Sequence, residues 1–476
     1  MSTGEDTLKA LGYQQELHRS VSPLGHIALV LSDITPTASI LVVATAVIAV
    51  AGTGSLLPFI LGCFIAVNVA LCMGELGSMF PVAGGLFSIV TRVLGRPLGF
   101  IAMVDYMGQA VFLPASIAIG IGTYIHSLLP SLPENAISGL GMLVVTGICL
   151  LKIRLNAWLT GVFLAIELVV VTAITVAGFT HLHQPLSIAI HPVALGSHGA
   201  LVGIAGGAIL AAIATSLFSV NGYDSGINFA EEVLGSAREV GRAVVTAALV
   251  GIVFELVPFI AVIFAAPSVE GFLHSGTPFT YVAGAAFGSK FETIITIGAL
   301  LAIFNASIAI TLQFSRIVWA SGRDRAWPEP ISSWFSKVSS RHGSPWVATL
   351  FVGILATILC FQGTLVAVVT FTAVLLIILY GLIATSALVS RVRQSQLPRP
   401  SKMPLWPAPP ILALIGVVLA LTQQKVSDLI TVAVIFGVAV VYYYGFVARR
   451  GGRYWVQSEL PEPYEITEPL PPPAEA

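Results

Sequence analysis

An all-α membrane protein of about twelve transmembrane helices, two of them broken, is the fold that this 476-residue sequence predicts, on three observations. Apolar residues make up 56% of the chain and charged residues only 9%, whereas a soluble domain carries about 25% charged residues. Long apolar runs recur along the whole sequence, and a spanning helix needs about 20 mostly apolar residues. Two of these runs are interrupted near their middles, by Ser32-Asp33-Ile34-Thr35-Pro36-Thr37 and by Asn221-Gly222-Tyr223-Asp224-Ser225-Gly226. Backbone broken in hydrocarbon leaves N–H and C=O groups unpaired, which is tolerated only where they line a cavity or bind something. Interruptions paired across the two halves of a polytopic chain mark the substrate site of a secondary transporter.

The runs, numbered as spans one to twelve, cover 26–50, 55–80, 97–127, 137–153, 156–179, 201–235, 241–266, 291–320, 345–362, 365–390, 408–423 and 427–447. The 45 glycines suit close helix packing in lipid. Residues 1–22 are polar, with acids as well as bases, so they read as a cytoplasmic segment and not as a cleavable signal. Placing both termini in the cytoplasm puts twenty of the 22 Lys and Arg on that side, leaving only Lys290 and Lys425 outside. That bias sets the orientation, and the expected location is the plasma (inner) membrane, with both termini cytoplasmic. The tail is rich in Pro and Glu and reads as disordered. The predicted organisation is a cytoplasmic segment 1–22, a ten-helix core 23–390, two further helices in 391–448 and a cytoplasmic tail 449–476.

Cys63, Cys72, Cys149 and Cys360 lie in apolar runs without CxxC spacing, which argues against disulfides and a metal site. His126, His181, His183, His191, His198 and His274 fall in loops without metal spacing and read as solvated surface. Asn305-Ala306-Ser307 matches a glycosylation acceptor but would lie inside the membrane. No phosphate loop or HExxH motif is present, so neither a cofactor, a nucleic-acid partner nor an enzymatic activity is expected.

Four segments bear a family likeness: Leu11-Gly12-Tyr13-Gln14-Gln15-Glu16-Leu17-His18-Arg19, Pro81-Val82-Ala83-Gly84-Gly85-Leu86-Phe87, the stretch FSVNGYDSGINFAEE from Phe218 to Glu232, and RIVWASGRDRAWP from Arg316 to Pro328. In that order and spacing the chain resembles the amino acid–polyamine–organocation (APC) superfamily of permeases, closest to the branch that transports amino acids, GABA and choline. The resemblance implies a LeuT-type core, with spans 1–5 and 6–10 as inverted repeats, two spans outside it, and substrate held between the breaks of spans one and six. Most relatives place a Gly-x-Gly nest in the first break to hold a carboxylate. This chain has Thr35-Pro36-Thr37 there, and Pro36 lacks an N–H. The resemblance also implies that Phe218 sits where relatives carry a gating aromatic, and that Asp224 aligns with an acidic position tied to gating.

The substrate-binding candidates are therefore Asp33, Ile34, Thr35, Pro36, Thr37, Phe218, Asn221, Gly222, Tyr223 and Asp224. Asp33 suits a cationic ligand, or else caps the second half-helix. Phe218 has ordinary packing as its alternative role, and the 221–226 segment a purely structural turn. Glu231 and Glu232 are expected to pair with cytoplasmic arginines. Glu167 in span five and Glu255 in span seven are carboxyls at mid-membrane, where charge costs several kcal/mol and ionisable groups face a cavity or a partner. Burial favours the neutral acid, which suits a proton carrier, so both are coupling candidates, Glu167 first. Asp105 in span three either joins the site or pairs with a base. Asn305, Ser307, Thr311 and Ser315 run along span eight; in sodium-coupled relatives hydroxyls of this helix bind the ion, although such hydroxyls also bond back to their own helix.

The predicted function is secondary active transport of an amino acid or small amine (GABA, polyamine or choline-like), proton-coupled, with sodium coupling or substrate exchange as the alternative. A scaffold or a channel is the more distant rival, since a channel wants continuous pore-lining polarity and polarity here is confined to two breaks and a few acids.

Overall fold

The computed structural model describes residues 21–82, 84–151, 153–196, 199–339, 344–450 and 452–456. The motif at 11–19, Ala83, Lys152, His198, Arg341 and the tail beyond Val456 lie outside these residues.

A helix occupies each of the predicted apolar runs. Among the described residues, seven helical stretches are long and apolar enough to cross a membrane, the first of them, Pro23–Met79, holding both span one and span two. Spans four, six, nine and eleven fall on apolar helices of 14 to 17 residues. Their lipid-facing positions, such as Ile354, Ile358, Ile415 and Val418, stay exposed, while the opposite faces join one continuous apolar core.

Span one runs through Pro23–Ile34, stops at Thr35, and resumes as Pro36–Ala38, the π-helical Ser39–Val43 and Ala44–Ala51. Thr35 is left-handed (φ 48°, ψ 63°), a conformation that L-residues other than Gly, Asn and Asp seldom adopt. The cause is local: Pro36 disfavours helical backbone in the residue before it and has no N–H to continue the ladder. Span six runs through Gly206–Ser219, breaks, and re-forms only as Ser225–Asn228 and the tight turn Ala230–Glu232. Gly222 carries φ +108°, and a Cβ added to it would lie 2.7 Å from the Asp33 carbonyl oxygen. The two broken backbones therefore touch at their breaks, and Gly222 is what allows it.

Two sequence expectations need correction. Residues 201–205 do not begin span six: Leu201–Gly203 is strand β2, antiparallel to β1 (Val193–Leu195), and the helix starts at Gly206. Gly199, Gly203, Gly206 and Gly207 make this stretch a poor helix former. Thr53, where span one ends, fastens this region by accepting from the Val193 N–H at 3.0 Å and donating to the Ile188 carbonyl at 3.2 Å. The second correction concerns the tail expected from residue 449. Residues 452–456 pack against the bundle, with Trp455 fully buried, 5.8 Å from Phe87 and 5.3 Å from Phe100 between ring centroids. The Trp455 and Val456 N–H groups donate to the carbonyls of Arg325 and Asp324 at 3.0 and 2.9 Å. Pro and Glu beyond this point dominate the composition and mask a short aromatic anchor.

The end of the bundle that carries most of the Lys and Arg, its basic face, is heavily fastened. Glu232 and Glu231 pair with Arg316 and Arg323 at 2.6 and 3.2 Å, tying span six to span eight as expected. Val21 bridges to Val233, which ties the start of span one to the end of span six. The Pro-Val-Ala-Gly-Gly segment leads into a buried helix, Gly85–Leu94, where a Cβ on Gly85 would overlap Asn228.

Candidate substrate and coupling site

A small cavity opens where the two breaks meet. Its polar lining is Asp33, Thr35, Ser39, Asn221 and Gln313, with Gly222 contributing backbone. Ile34, Val43, Leu113, Ile117, Phe218 and Ile310 form the apolar wall. Of the predicted substrate residues, Asp33, Ile34, Thr35, Phe218, Asn221 and Gly222 thus line one space. Pro36, Thr37, Tyr223 and Asp224 are buried beside it but do not line it.

Asp33 occupies the last turn of the first half of span one and is 3% exposed. It does not cap the second half-helix: the N-cap is Thr35, whose side chain makes no capping bond. Neither Asp33 oxygen has a hydrogen-bond partner among the described residues; the Ser225 hydroxyl is nearby but outside bonding geometry. The Thr35 hydroxyl is likewise buried and unpartnered. Thr37 faces the other way and donates to the Glu167 carbonyl at 2.7 Å.

Asp224 anchors a network that the sequence did not disclose. The amide of Asn228 donates to the Tyr106 hydroxyl at 2.9 Å, Tyr106 donates to Asp224 Oδ2, and Gln313 Nε2 donates to the same oxygen at 3.1 Å. Tyr380 donates to Asn221 Oδ1 at 2.5 Å, and its ring lies 5.9 Å from that of Tyr223.

Glu167 and Glu255 both lie close to span one. Asn305 Nδ2 donates to Glu167 Oε1 at 2.7 Å and lies 3.3 Å from the Ser32 hydroxyl, so spans one, five and eight meet at this carboxyl. Glu167 Oε2 is buried without a partner among the described residues. The Ser219 hydroxyl donates to Glu255 Oε2 at 3.1 Å, with the Ser39 carbonyl 3.4 Å away, and Glu255 Oε1 likewise has no partner among the described residues. Asp105 accepts from Gln109 one turn along at 2.8 Å and neither lines the cavity nor meets a base. Ser307, Thr311 and Ser315 donate to carbonyls of their own helix at 2.8, 2.6 and 2.8 Å. Among the histidines, His183, His191 and His274 are exposed, and His126 and His181 half-buried.

Two helices are broken at facing points around a small cavity of mixed lining, in a chain of apolar helices, and residues 21–447 match the amino acid permease family model. The chain belongs to that family. The permease is 25% identical to an uncharacterized transporter of Mycobacterium tuberculosis, over 83% of each chain. It is 22% identical to the branched-chain amino acid permease BcaP of Bacillus subtilis, over 86% of this chain and 89% of that one. The serine/threonine exchanger SteT of the same organism is 23% identical over 83% and 89%. This permease is accordingly a multi-pass membrane transporter of the APC superfamily, and its family activity is transport, not catalysis.

Gln313, Ser39, Tyr106, Tyr380 and Asn228 are not among the residues that the sequence singles out. Gln313 carried a signal, a bare amide in an apolar run one turn from Ile310, since polar groups at membrane depth face a cavity or a partner.

Proposed function

We propose that this permease is a secondary active transporter of an amino acid or small amine in the plasma membrane. Substrate sits between the breaks of spans one and six, and proton movement through Glu167 drives the cycle. The architecture that goes with this reading is a LeuT-type five-plus-five repeat in residues 23–390, two further helices in 391–448 and both termini in the cytoplasm. Phe218 is then the aromatic that closes over bound substrate. The observation that carries the proposal is Asp33, a carboxylate buried at the junction of the two breaks with both oxygens free. Such a group is costly in hydrocarbon unless a ligand compensates it.

Proton coupling is favoured over sodium because the spans meet around a carboxyl that can take up and release a proton. Glu167 offers a free oxygen at the meeting point of three spans. Glu255 is the second coupling candidate. The test is uptake of a labelled panel (GABA, putrescine, choline, neutral and basic amino acids) into proteoliposomes, with proton or sodium gradients imposed separately. Accumulation under the proton gradient alone is expected. Accumulation only under sodium overturns the coupling, and no accumulation of any compound overturns the transporter reading.

A further inference from the structure

After its break, span six re-forms only as two short pieces, the four residues Ser225–Asn228 and the three residues Ala230–Glu232. Helical pieces this short do not hold themselves, because nucleation costs more than so few bonds return. The position of residues 225–232 therefore depends on what grips them, and two grips are present. On one side the helix Gly85–Leu94 comes so close to Asn228 that Gly85 has no room for a Cβ. On the other, Arg316 and Arg323 of span eight pair with Glu232 and Glu231.

Both grips are backed by one short segment that follows span twelve. The Trp455 ring lies against Phe87 of the helix Gly85–Leu94 and against Phe100 in span three. The Trp455 and Val456 N–H groups hold the carbonyls of Arg325 and Asp324, in the turn that directly follows Arg323. Arg96 Nη2 secures the segment by donating to the Tyr454 and Trp455 carbonyls at 3.3 and 2.5 Å. The Tyr454 ring, 4.9 Å from that of Phe446, ties it to the end of span twelve. Arg325 and Trp455 both carry left-handed backbone, with φ of 52° and 54°. Non-glycine residues keep that conformation only where the surrounding structure imposes it, so their mutual bond marks a held contact and not a tail resting on a surface. Asn228 carries the contact inward: it donates to Tyr106, which with Gln313 holds Asp224, and Gln313 lines the cavity.

We infer that residues 453–456 form a strap that fixes residues 225–232 of span six from behind, through Phe87 and the 324–325 turn, and so keeps the cavity closed toward the basic face. Trp455 is a positioning residue; it does not line the cavity and acts on it through Phe87 and Arg325. The inference rests on the proposed site between the breaks and adds a control on how readily that site opens.

Hydrogen–deuterium exchange of the full-length protein, purified in detergent, tests the strap in wild type, Trp455→Ala and Trp455→Phe. Trp455→Ala is expected to speed exchange at residues 225–232 by about tenfold and to leave span nine unchanged. Trp455→Phe keeps a ring against Phe87 and Phe100 and should retain wild-type rates. Faster exchange confined to residues 324–326 and 453–456 would make the segment a local anchor and overturn the inference. An equal rise in every span, or no change at residues 225–232, overturns it as well. If Trp455→Ala does not fold, Arg96→Ala, which removes the donor to both carbonyls, is read in the same way. The exchange measurement needs no substrate, so counterflow in proteoliposomes separates the two readings. Transport with unchanged exchange at residues 225–232 removes the strap and leaves the transporter, and faster exchange there without uptake of any compound does the reverse.

Discussion

At the basic face Glu75 accepts four hydrogen bonds, from Arg391 Nε and Nη2 at 2.8 and 2.6 Å, Arg399 Nη1 at 2.7 Å and the Met403 N–H at 2.7 Å, whereas at the middle of the bundle Asp33 accepts none. The contrast extends to the other buried acids. Glu231 and Glu232 have arginines. Glu167, Glu255 and Asp105 each have one oxygen on a neutral donor and one with no partner among the described residues. All seven are buried, so burial alone does not separate them; the partners do. A carboxylate saturated by guanidinium groups is a fastener, since removing one partner of a buried pair leaves the other charge stranded. A carboxylate left half-satisfied in hydrocarbon is available to a proton or a cation. The basic face is therefore built to hold the spans together, and the mid-bundle carries the carboxyls that have room for a further partner.

Stability breaks the comparison most directly. Glu75→Gln strands Arg391 and Arg399 against spans two and ten, and should cost about 3 kcal/mol, read as a lower midpoint in thermal or denaturant unfolding of the detergent-solubilised protein. Asp33→Asn removes a charge that has no partner and should leave the midpoint unchanged or raise it. Equal losses in the two variants would mean that Asp33 is a fastener too, and the division of the molecule would fail.

These two regions were unequally legible in the sequence. The breaks could be read because their causes are local: Pro36 acts on the residue before it, and Gly222 supplies a backbone angle that other residues resist. The pairing of Glu231 and Glu232 with arginines could be anticipated from a Glu pair and an Arg-rich exit, and the structure supplies Arg323 and Arg316. Glu75 passed unnoticed because its partners are 316 and 324 residues away, a separation over which composition and spacing carry no information. Gln313 and Tyr106 share that difficulty, being joined only through Asp224. Trp455 was hidden for another reason, since a Pro- and Glu-rich tail dominates any composition window that contains it.

The next effect is on coupling rather than stability. Glu167→Gln keeps the acceptor for Asn305 Nδ2 and mimics the neutral acid, so substrate binding and exchange should persist. Concentrative uptake driven by a proton gradient should fall by at least about tenfold, because a group whose protonation no longer changes cannot bias one conformation over the other. The measurement is accumulation against counterflow in the same proteoliposomes. Undiminished accumulation would move Glu167 to the fasteners and make Glu255 the coupling group.

The smallest effect is expected at Ser307. Its position along span eight with Thr311 and Ser315 makes it an attractive ion ligand on sequence alone, but its hydroxyl donates to the Ile303 carbonyl at 2.8 Å and Thr311 donates back to the Ser307 carbonyl at 2.6 Å. A Ser or Thr that bonds back to its own helix contributes little beyond local geometry. Ser307→Ala removes that bond while leaving both carbonyls within the helical ladder, so uptake kinetics should change less than about twofold and the unfolding midpoint by less than about 0.5 kcal/mol. Asn305→Ala, two residues away, removes the donor to Glu167 and should shift the pH dependence of uptake measurably. The comparison between these neighbours is sharp because both are buried on the same helix and differ chiefly in what they bond. If Ser307→Ala abolishes uptake while Asn305→Ala leaves its pH profile in place, the hydroxyl face of span eight is the ion site, and the coupling ion is sodium.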